Sequence, residues 1–192
     1  STAYVQFSSG TTDRPKGVMV SYNNLSSNLD MIHTKFKAKA DSHGYIWIPP
    51  FHDMGLIGGI LYPLKRGFHV YLTSPLRFIR NPARWLNEAA KLKATHTGGP
   101  NFAYSLCAAL PDRRLDSNLD LSTFEVFFCG SEQVIPDDIK KFYQRFEKFN
   151  LSPSTFLPCY GLAESTLMVT AECNTIDEHS FLFRSDALLD NK

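Results

Sequence analysis

The sequence predicts an α/β fold in which crossover helices connect the strands of a mostly parallel sheet. Short β-rich runs alternate with amphipathic segments along the chain, which is typical of repeated strand–helix–strand units. Serine, asparagine or proline precedes several of these segments and marks the start of a helix. The 192 residues fit a single domain, since domains commonly contain roughly 100–200 residues.

The first half of the chain contains three predicted strands and two predicted helices. Ser21 can cap a helix whose apolar residues recur at helical spacing and form one buried face. The residues of that face are Leu25, Leu29, Ile32 and Phe36. The predicted strands cover residues 3–7, 44–48 and 68–73, and a second helix, loosened by three glycines, covers residues 53–65.

The second half repeats this alternation. Asn81 and Pro82 open a predicted helix that carries Trp85, Leu86 and Ala89. Pro136 opens another helix, with two aspartates in its first turn and an apolar stripe behind them. That stripe consists of Ile139, Phe142, Phe146 and Phe149. The predicted strands cover residues 95–97, 124–129 and 156–159, and we expect the last of them to turn into a helix.

Composition narrows the class of protein. Twenty basic residues balance nineteen acidic ones, so no overall field points to nucleic acid or to an anionic membrane. The four cysteines form no CxxC pair, which favours a reduced, cytoplasmic compartment over a disulfide framework. The apolar runs are too short to span a bilayer, and the chain opens with no basic-then-apolar signal.

The segment from Ser8 to Val18, SSGTTDRPKGV, is suited to holding a polyphosphate. Its glycines let backbone N–H groups approach an anion, its hydroxyls add donors, and Lys16 adds positive charge. The segment follows a predicted strand, where phosphate loops of α/β folds usually begin. It is not a P-loop of the G-x-x-x-x-G-K-[ST] type, because Pro15 and Gly17 stand where that pattern needs other residues. A flexible polar turn is the structural alternative.

Two further segments, GSE (130–132) and YGLAEST (160–166), also follow apolar runs. Loops at the carboxyl ends of parallel strands face one crevice, so we expect both segments and the phosphate loop to converge. Glu164 could then bind the Mg²⁺ that accompanies ATP, and the Tyr160 ring could lie against a base. The alternative places Tyr160 in the core and Glu164 on a solvated helix.

The segment FHDMG (51–55) likewise begins a new element after an apolar run. His52 beside Asp53 could indicate a metal site, but no third ligand can be identified. A polar contact or gate beside an acyl site is the better interpretation of His52.

In order and approximate spacing, these four segments resemble the motifs of the adenylate-forming acyl and aminoacyl ligases. That resemblance implies a reaction that joins a carboxylate to ATP, releases pyrophosphate and leaves an acyl-adenylate for attack by a thiol. ATP and Mg²⁺ are the implied cofactors. Carboxylate and triphosphate repel each other, so the site must neutralise charge and needs no nucleophilic side chain.

The resemblance also implies roles for individual residues. The loop around the β- and γ-phosphates would comprise Ser8, Ser9, Gly10, Thr11, Thr12 and Lys16. The adenine side would comprise Gly130, Ser131, Glu132, Tyr160, Gly161 and Leu162, with Thr166 near the α-phosphate. The acyl side would comprise His52, Asp53, Met54, Gly58 and Phe102, although Gly58 and Phe102 could equally serve packing. Lys16, His52 and Glu164 are the candidate catalytic residues, with Glu164 as the Mg²⁺ ligand.

Longer stretches resemble the fatty acyl-AMP ligase branch of this superfamily: FHDMGLIGG, LTSPLRFIRNPARWL, GGPNFAYSL, CGSEQV and YGLAEST. This implies a fatty acid substrate and transfer of the acyl group to an acyl carrier protein. An acyl-CoA synthetase, with coenzyme A as acceptor, is the alternative. Residues 178–192 resemble the start of an insertion found in that branch, and an ordinary surface loop is the alternative for them.

Three parts of such enzymes have no counterpart in the sequence: the ribose-binding aspartate, the interdomain hinge and the carboxy-terminal lysine. We therefore expect residues 1–192 to form the central part of an AMP-binding domain, truncated at both ends and inactive alone. A nucleotide- or acyl-binding module without catalysis is the alternative function for this chain.

Overall fold

A six-stranded sheet forms the centre of the computed structural model, which describes residues 1–8 and 16–172. Its strand order is β4-β3-β5-β6-β7-β8, with parallel pairing from β4 to β7 and an antiparallel β8 at one edge. The strands are β3 (His43–Ile46), β4 (His69–Leu72), β5 (His96–Gly99), β6 (Val126–Cys129), β7 (Phe156–Gly161) and β8 (Met168–Ala171). The predicted α/β class with a mostly parallel sheet is confirmed.

Helices connect these strands. They are α1 (Tyr22–Phe36), α2 (Tyr62–Arg66), α3 (Pro75–Arg80), α4 (Ala83–Lys91), α5 (Asn101–Ala108) and α6 (Pro136–Phe146). Ser21 caps α1 as predicted and shares a reciprocal capping box with Asn24. Helix α6 begins at Pro136 and buries Ile139, Phe142 and Phe146, while α3 and α5 were not predicted.

Aromatic side chains dominate the core between the sheet and helices α4 to α6. The Trp85 ring lies within 6.4 Å of five other aromatic rings, measured between centroids. Its indole N–H donates to Thr97 Oγ1 at 2.7 Å, and the Tyr104 hydroxyl donates to the Phe128 carbonyl at 2.6 Å. These buried polar atoms are therefore satisfied, which fixes the rings against the sheet.

The helix predicted over residues 53–65 has an unexpected form. Residues Met54–Leu61 make a π-helix, which continues into α2. Two of its glycines approach neighbouring atoms closely: a Cβ on Gly55 would lie 2.1 Å from the Pro49 carbonyl oxygen, and one on Gly59 2.8 Å from Ile46 Cγ2. π-Helical turns are rare in proteins, and those that occur are often found at functional sites.

The phosphate-loop prediction was wrong in its topology. Strands β1 (Thr2–Ser8) and β2 (Lys16–Ser21) form a separate antiparallel hairpin, and residues 9–15 connect them. The loop therefore joins two hairpin strands and does not follow a strand of the parallel sheet. Strand β2 ends at the cap of α1, so the helix continues directly from the hairpin.

The helix predicted after β7 was also wrong. A short 3₁₀ turn, Ala163–Ser165, leads instead into the antiparallel strand β8. Strand β7 is divided between two partners: residues 156–158 pair with β6, and residues 159–161 pair with β8. Pro158 ends the pairing with β6 because it has no N–H to donate. Within the described part of the chain, no helix is long and apolar enough to cross a bilayer.

Candidate adenylation site

Three of the four sequence motifs meet in one cavity of about 180 Å³ at the carboxyl ends of β6 and β7. The predicted site residues that line it are His52, Asp53, Met54, Gly58, Gly130, Ser131, Tyr160 and Gly161. The expected convergence of GSE and YGLAEST is therefore observed, and FHDMG joins them. Its inner wall is apolar and comprises Ile32, Phe36, Phe128, Leu167 and Met168, with Cys159 beside them.

His52 and Asp53 form an ion pair at the entrance to the π-helix. His52 Nδ1 lies 2.8 Å from Asp53 Oδ1, and the same carboxylate accepts from the Met54 N–H at 2.7 Å. The hydrogen bond that His52 donates to the Asp53 carboxylate raises the pKa of His52 above its usual value, against the opposing effect of burial. The imidazole is half exposed at the cavity. His52 therefore keeps its positive charge up to a higher pH than a free histidine does.

The GSE segment contacts both the π-helix, at Met54, and strand β7, at Cys159. Ser131, whose φ of 71° is left-handed, directs its hydroxyl to the Met54 sulfur at 3.5 Å. A Cβ on Gly130 would lie 2.9 Å from the Cys159 carbonyl oxygen. Close approach of the two strand ends therefore requires glycine at this position.

Tyr160 lies on the surface of the cavity and not in the core. The residue is 61% exposed, so one ring face is accessible to a ligand. This excludes the core alternative for Tyr160, and an exposed aromatic face beside backbone N–H and C=O groups is suited to a heteroaromatic base.

Glu132 and Phe102 contact each other but do not line the cavity. The Glu132 carboxylate accepts from the Phe102 N–H at 2.6 Å, in the first turn of α5. The Phe102 ring packs edge-on against Trp47 and Phe78. Glu132 thus satisfies a helix N-terminus. Leu162 also lies outside the cavity lining, and its N–H donates to the Leu167 carbonyl at 2.9 Å.

Glu164 and Thr166 lie on a neighbouring groove of about 350 Å³ between β2, α1 and the 3₁₀ turn. Glu164 is exposed, and among the described residues its carboxylate has no hydrogen-bond or ion-pair partner. Thr166 is buried at φ 73° and ψ −59° and forms the centre of a γ-turn, in which the Leu167 N–H donates to the Ser165 carbonyl at 2.9 Å. This form of γ-turn is rare and strained.

The strands of the hairpin contact the surroundings of both surfaces: β1 reaches Phe51 beside the cavity, and β2 lines the groove. Ser8 pairs with Lys16 in the last register position before residues 9–15. Gln6 Nε2 donates to the Phe51 carbonyl at 3.4 Å, and burial together with the charge of Asp53 raises the pKa of Tyr4. Lys16 is exposed at the start of β2. Ser9, Gly10, Thr11 and Thr12 lie outside the described residues, as do residues 178–192.

Glu164 offers the oxygen atoms that Mg²⁺ prefers in a protein ligand. Among residues 1–8 and 16–172, no three His, Cys, Asp or Glu side chains group together. A single exposed carboxylate, Glu164, suits a hard cation that takes its remaining ligands from phosphate oxygens and water.

Sequence reasoning missed Asn28, a buried polar residue of α1 that bonds to the backbone around Thr166. A signal was present, because Asn28 lies three residues after Leu25 and four before Ile32. It therefore interrupts the predicted apolar face with an amide.

Comparison with known proteins extends these observations. Residues 1–183 match the family model described as AMP-binding enzyme. The medium-chain-fatty-acid–[acyl-carrier-protein] ligase JamA of Moorena producens is 36% identical over 190 residues, which are 99% of this chain and 32% of that protein. The long-chain-fatty-acid–AMP ligase FadD23 of Mycobacterium tuberculosis is 39% identical over 174 residues, which are 88% of this chain and 30% of that protein.

Comparison with solved structures also finds a fatty acyl-adenylate ligase. The fatty acyl-adenylate ligase of L. pneumophila, in complex with acyl adenylate and pyrophosphate, superposes with a TM-score of 0.85 at 44% identity. The match covers 88% of this chain and 30% of that one. The chain thus spans about a third of the length of these relatives, and the resemblance to fatty acyl-AMP ligases is confirmed.

Proposed function

Because the chain belongs to the AMP-binding enzyme family, we propose that the protein containing it activates a fatty acid with ATP. A carboxylate oxygen attacks the α-phosphorus, the bond to the β-phosphate oxygen breaks, and acyl-adenylate and pyrophosphate result. The fatty acid ligases among the relatives support this substrate class.

The observation that carries the proposal is the two-sided cavity. Its mouth has an exposed tyrosine ring and the glycine-rich ends of two strands, which suit a nucleotide, while its inner wall is apolar. A smaller apolar cavity of about 20 Å³ shares Phe36, Gly58 and Phe128 with it and extends towards Tyr62 and Phe68. A molecule with a polar head and a hydrocarbon tail fits this arrangement.

On the nucleotide side, Tyr160 contacts the adenine ring beside Gly130, Ser131 and Gly161. The hydroxyls and glycines of the phosphate loop, together with Lys16, hold the β- and γ-phosphates. Thr166 lies near the α-phosphate. Glu164 holds Mg²⁺, which supplies neutralisation of the phosphate charge when bound. These residues bind and orient the triphosphate, and the reaction needs no covalent enzyme intermediate.

On the acyl side, His52 stands between the nucleotide and the fatty chain. Its raised pKa favours an imidazolium, which attracts the substrate carboxylate and offsets its repulsion from the triphosphate. Asp53 orients the His52 imidazole, and Met54 and Gly58 form the wall along the fatty acyl chain.

We assign the acceptor to an acyl carrier protein and the reaction to the cytoplasm. JamA, whose name specifies a carrier-protein acceptor, supports the first assignment. Coenzyme A is the second candidate acceptor. A related protein from Mycobacterium tuberculosis, 38% identical over 172 residues, is named a putative fatty-acid–CoA ligase.

The test uses the full-length protein, ATP, Mg²⁺ and a series of fatty acids. We expect acid-dependent pyrophosphate release and acyl-adenylate detectable by mass spectrometry. ATP turnover that does not depend on any fatty acid would overturn the proposal. Adding purified acyl carrier protein or coenzyme A then decides the acceptor, and efficient acyl-CoA formation would contradict the carrier-protein assignment.

A further inference from the structure

Asn28 is one of the few polar side chains buried in the described core, with 6% of its surface exposed. Its Nδ2 donates to the Met168 carbonyl at 2.8 Å and to the Ser165 carbonyl at 3.2 Å, and its Oδ1 accepts from the Met168 N–H at 3.1 Å. The amide therefore pairs with Met168 as a neighbouring strand would. Reversing the amide would oppose donor to donor, so the three partners define its orientation.

These bonds span the strained turn. Ser165 precedes Thr166 in the γ-turn and Met168 begins β8 after it. A strained backbone of this kind persists only where its surroundings hold it. Asn28 supplies part of that restraint from both sides. The 3₁₀ turn that carries Glu164 ends at Ser165, where the restrained segment begins.

Helix α1, which carries Asn28, is held in place at its N-terminus and along its apolar face. Ser21 and Asn24 cap the helix, and Leu29 and Ile32 bury its apolar face. Strand β2, which begins at Lys16, runs directly into this cap. The Asn28 amide thus connects the strand–helix unit that begins at Lys16 to the turn that carries Glu164 and Thr166.

We propose that Asn28 is a positioning residue that holds the turn from Glu164 to Thr166 in place for binding of Mg·ATP. The role rests on the proposed function, because the ligand of this turn is the triphosphate with its cation. Asn28 itself contacts neither and acts through Ser165 and Met168.

The test compares Asn28→Asp with Asn87→Asp in the full-length protein. Asn28→Asp keeps the size of the side chain but places a carboxylate oxygen against two carbonyls, which should displace the turn. Asn87 is a matched control, because it also bridges backbone groups: its Nδ2 donates to the Arg114 carbonyl at 3.0 Å and its Oδ1 accepts from the Asp116 N–H at 3.2 Å. It lies on α4, away from the candidate site.

We expect Asn28→Asp to weaken Mg·ATP binding, measured by calorimetry, by about tenfold or more. We also expect the KM for Mg·ATP to rise by a larger factor than that by which kcat falls. In the nucleotide-free protein, the amide hydrogen of Met168 should exchange faster than in the wild type. Asn87→Asp should keep wild-type values for all three, whatever its thermal midpoint.

A folded Asn28→Asp variant with wild-type ATP affinity would overturn the role, and so would an equal loss of affinity in both variants. If Asn28→Asp does not fold, Asn28→Ser, which retains one hydroxyl, is subject to the same comparison. If the wild-type protein binds Mg·ATP but forms no acyl-adenylate, the proposed function fails, while the binding comparison still decides the role of Asn28.

Discussion

Gly58 should control the length of the fatty chain. It lies on the π-helix at the junction of the two apolar cavities, and a Cβ built there would meet only Leu167 Cδ2, at 3.8 Å. A longer side chain can therefore grow into the cavity without displacing backbone. Gly59, whose Cβ would lie 2.8 Å from Ile46 Cγ2, offers no such room.

The substitution Gly58→Leu places four carbons where the tail would lie. Each buried methylene contributes about 0.8 kcal/mol, which corresponds to about fourfold in affinity. Displacing four methylenes thus costs about 3 kcal/mol, or roughly a hundredfold in kcat/KM. The loss applies in full to an acid long enough to fill both cavities and shrinks as the chain becomes shorter.

The assay is acid-dependent pyrophosphate release by the full-length protein, from butanoic to hexadecanoic acid. Gly58→Ala is the graded control, because its single methyl makes ordinary contact with Leu167. Thermal unfolding of each variant identifies any general destabilisation. A chain-length profile that stays parallel to the wild type in Gly58→Leu would refute the placement of the tail beside Gly58.

Three further predictions follow from the site. Glu164→Gln should lower adenylate formation by about tenfold or more and raise the Mg²⁺ requirement, since one charged oxygen ligand is lost; unchanged rates at limiting Mg²⁺ would remove Glu164 from this role. The raised pKa of His52 means that its ion pair with Asp53 stabilises the fold fully below the usual pKa of 6.5 and is lost as the pH rises through the raised value. Asp53→Asn removes the main cause of that shift, so the basic limb of the kcat/KM profile should move to lower pH; superimposable profiles would contradict it. The 192-residue chain alone should release no pyrophosphate from ATP and fatty acid, and turnover comparable to that of the full-length protein would show that this segment suffices.

The sequence predicted those parts of the fold that local pattern determines. The apolar spacing in α1 and α6, the cap at Ser21 and the proline that begins α6 were sufficient because each helix buries a single face. The pairing of β1 with β2 was missed, since a β-rich run before a polar loop has the same local pattern whether its partner strand is near or distant in sequence. The π-helix was missed because it depends on how closely Gly55 and Gly59 pack against Pro49 and Ile46, which residue spacing does not show.

The candidate site was predictable to a similar extent. The motifs identified the residues that meet at the cavity, because carboxyl ends of parallel strands share an edge. They did not reveal that Glu132 caps α5 or that Phe102 packs against Trp47, since those contacts depend on how α5 docks. Asn28 carried a visible signal, but its partners lie about 140 residues away in sequence.

The division of β7 between β6 and β8 decides what shapes the mouth of the cavity. The pairing of β7 with β6 ends at Pro158, which has no N–H to donate, and a Cβ on Gly130 would lie 2.9 Å from the Cys159 carbonyl oxygen just beyond it. Main-chain atoms of the two strand ends therefore set the spacing at this side of the cavity. Under the proposed function, a change of nucleotide preference would accordingly require remodelling of the strand ends, whereas a change of fatty acid preference would require a new side chain at Gly58 on the opposite wall.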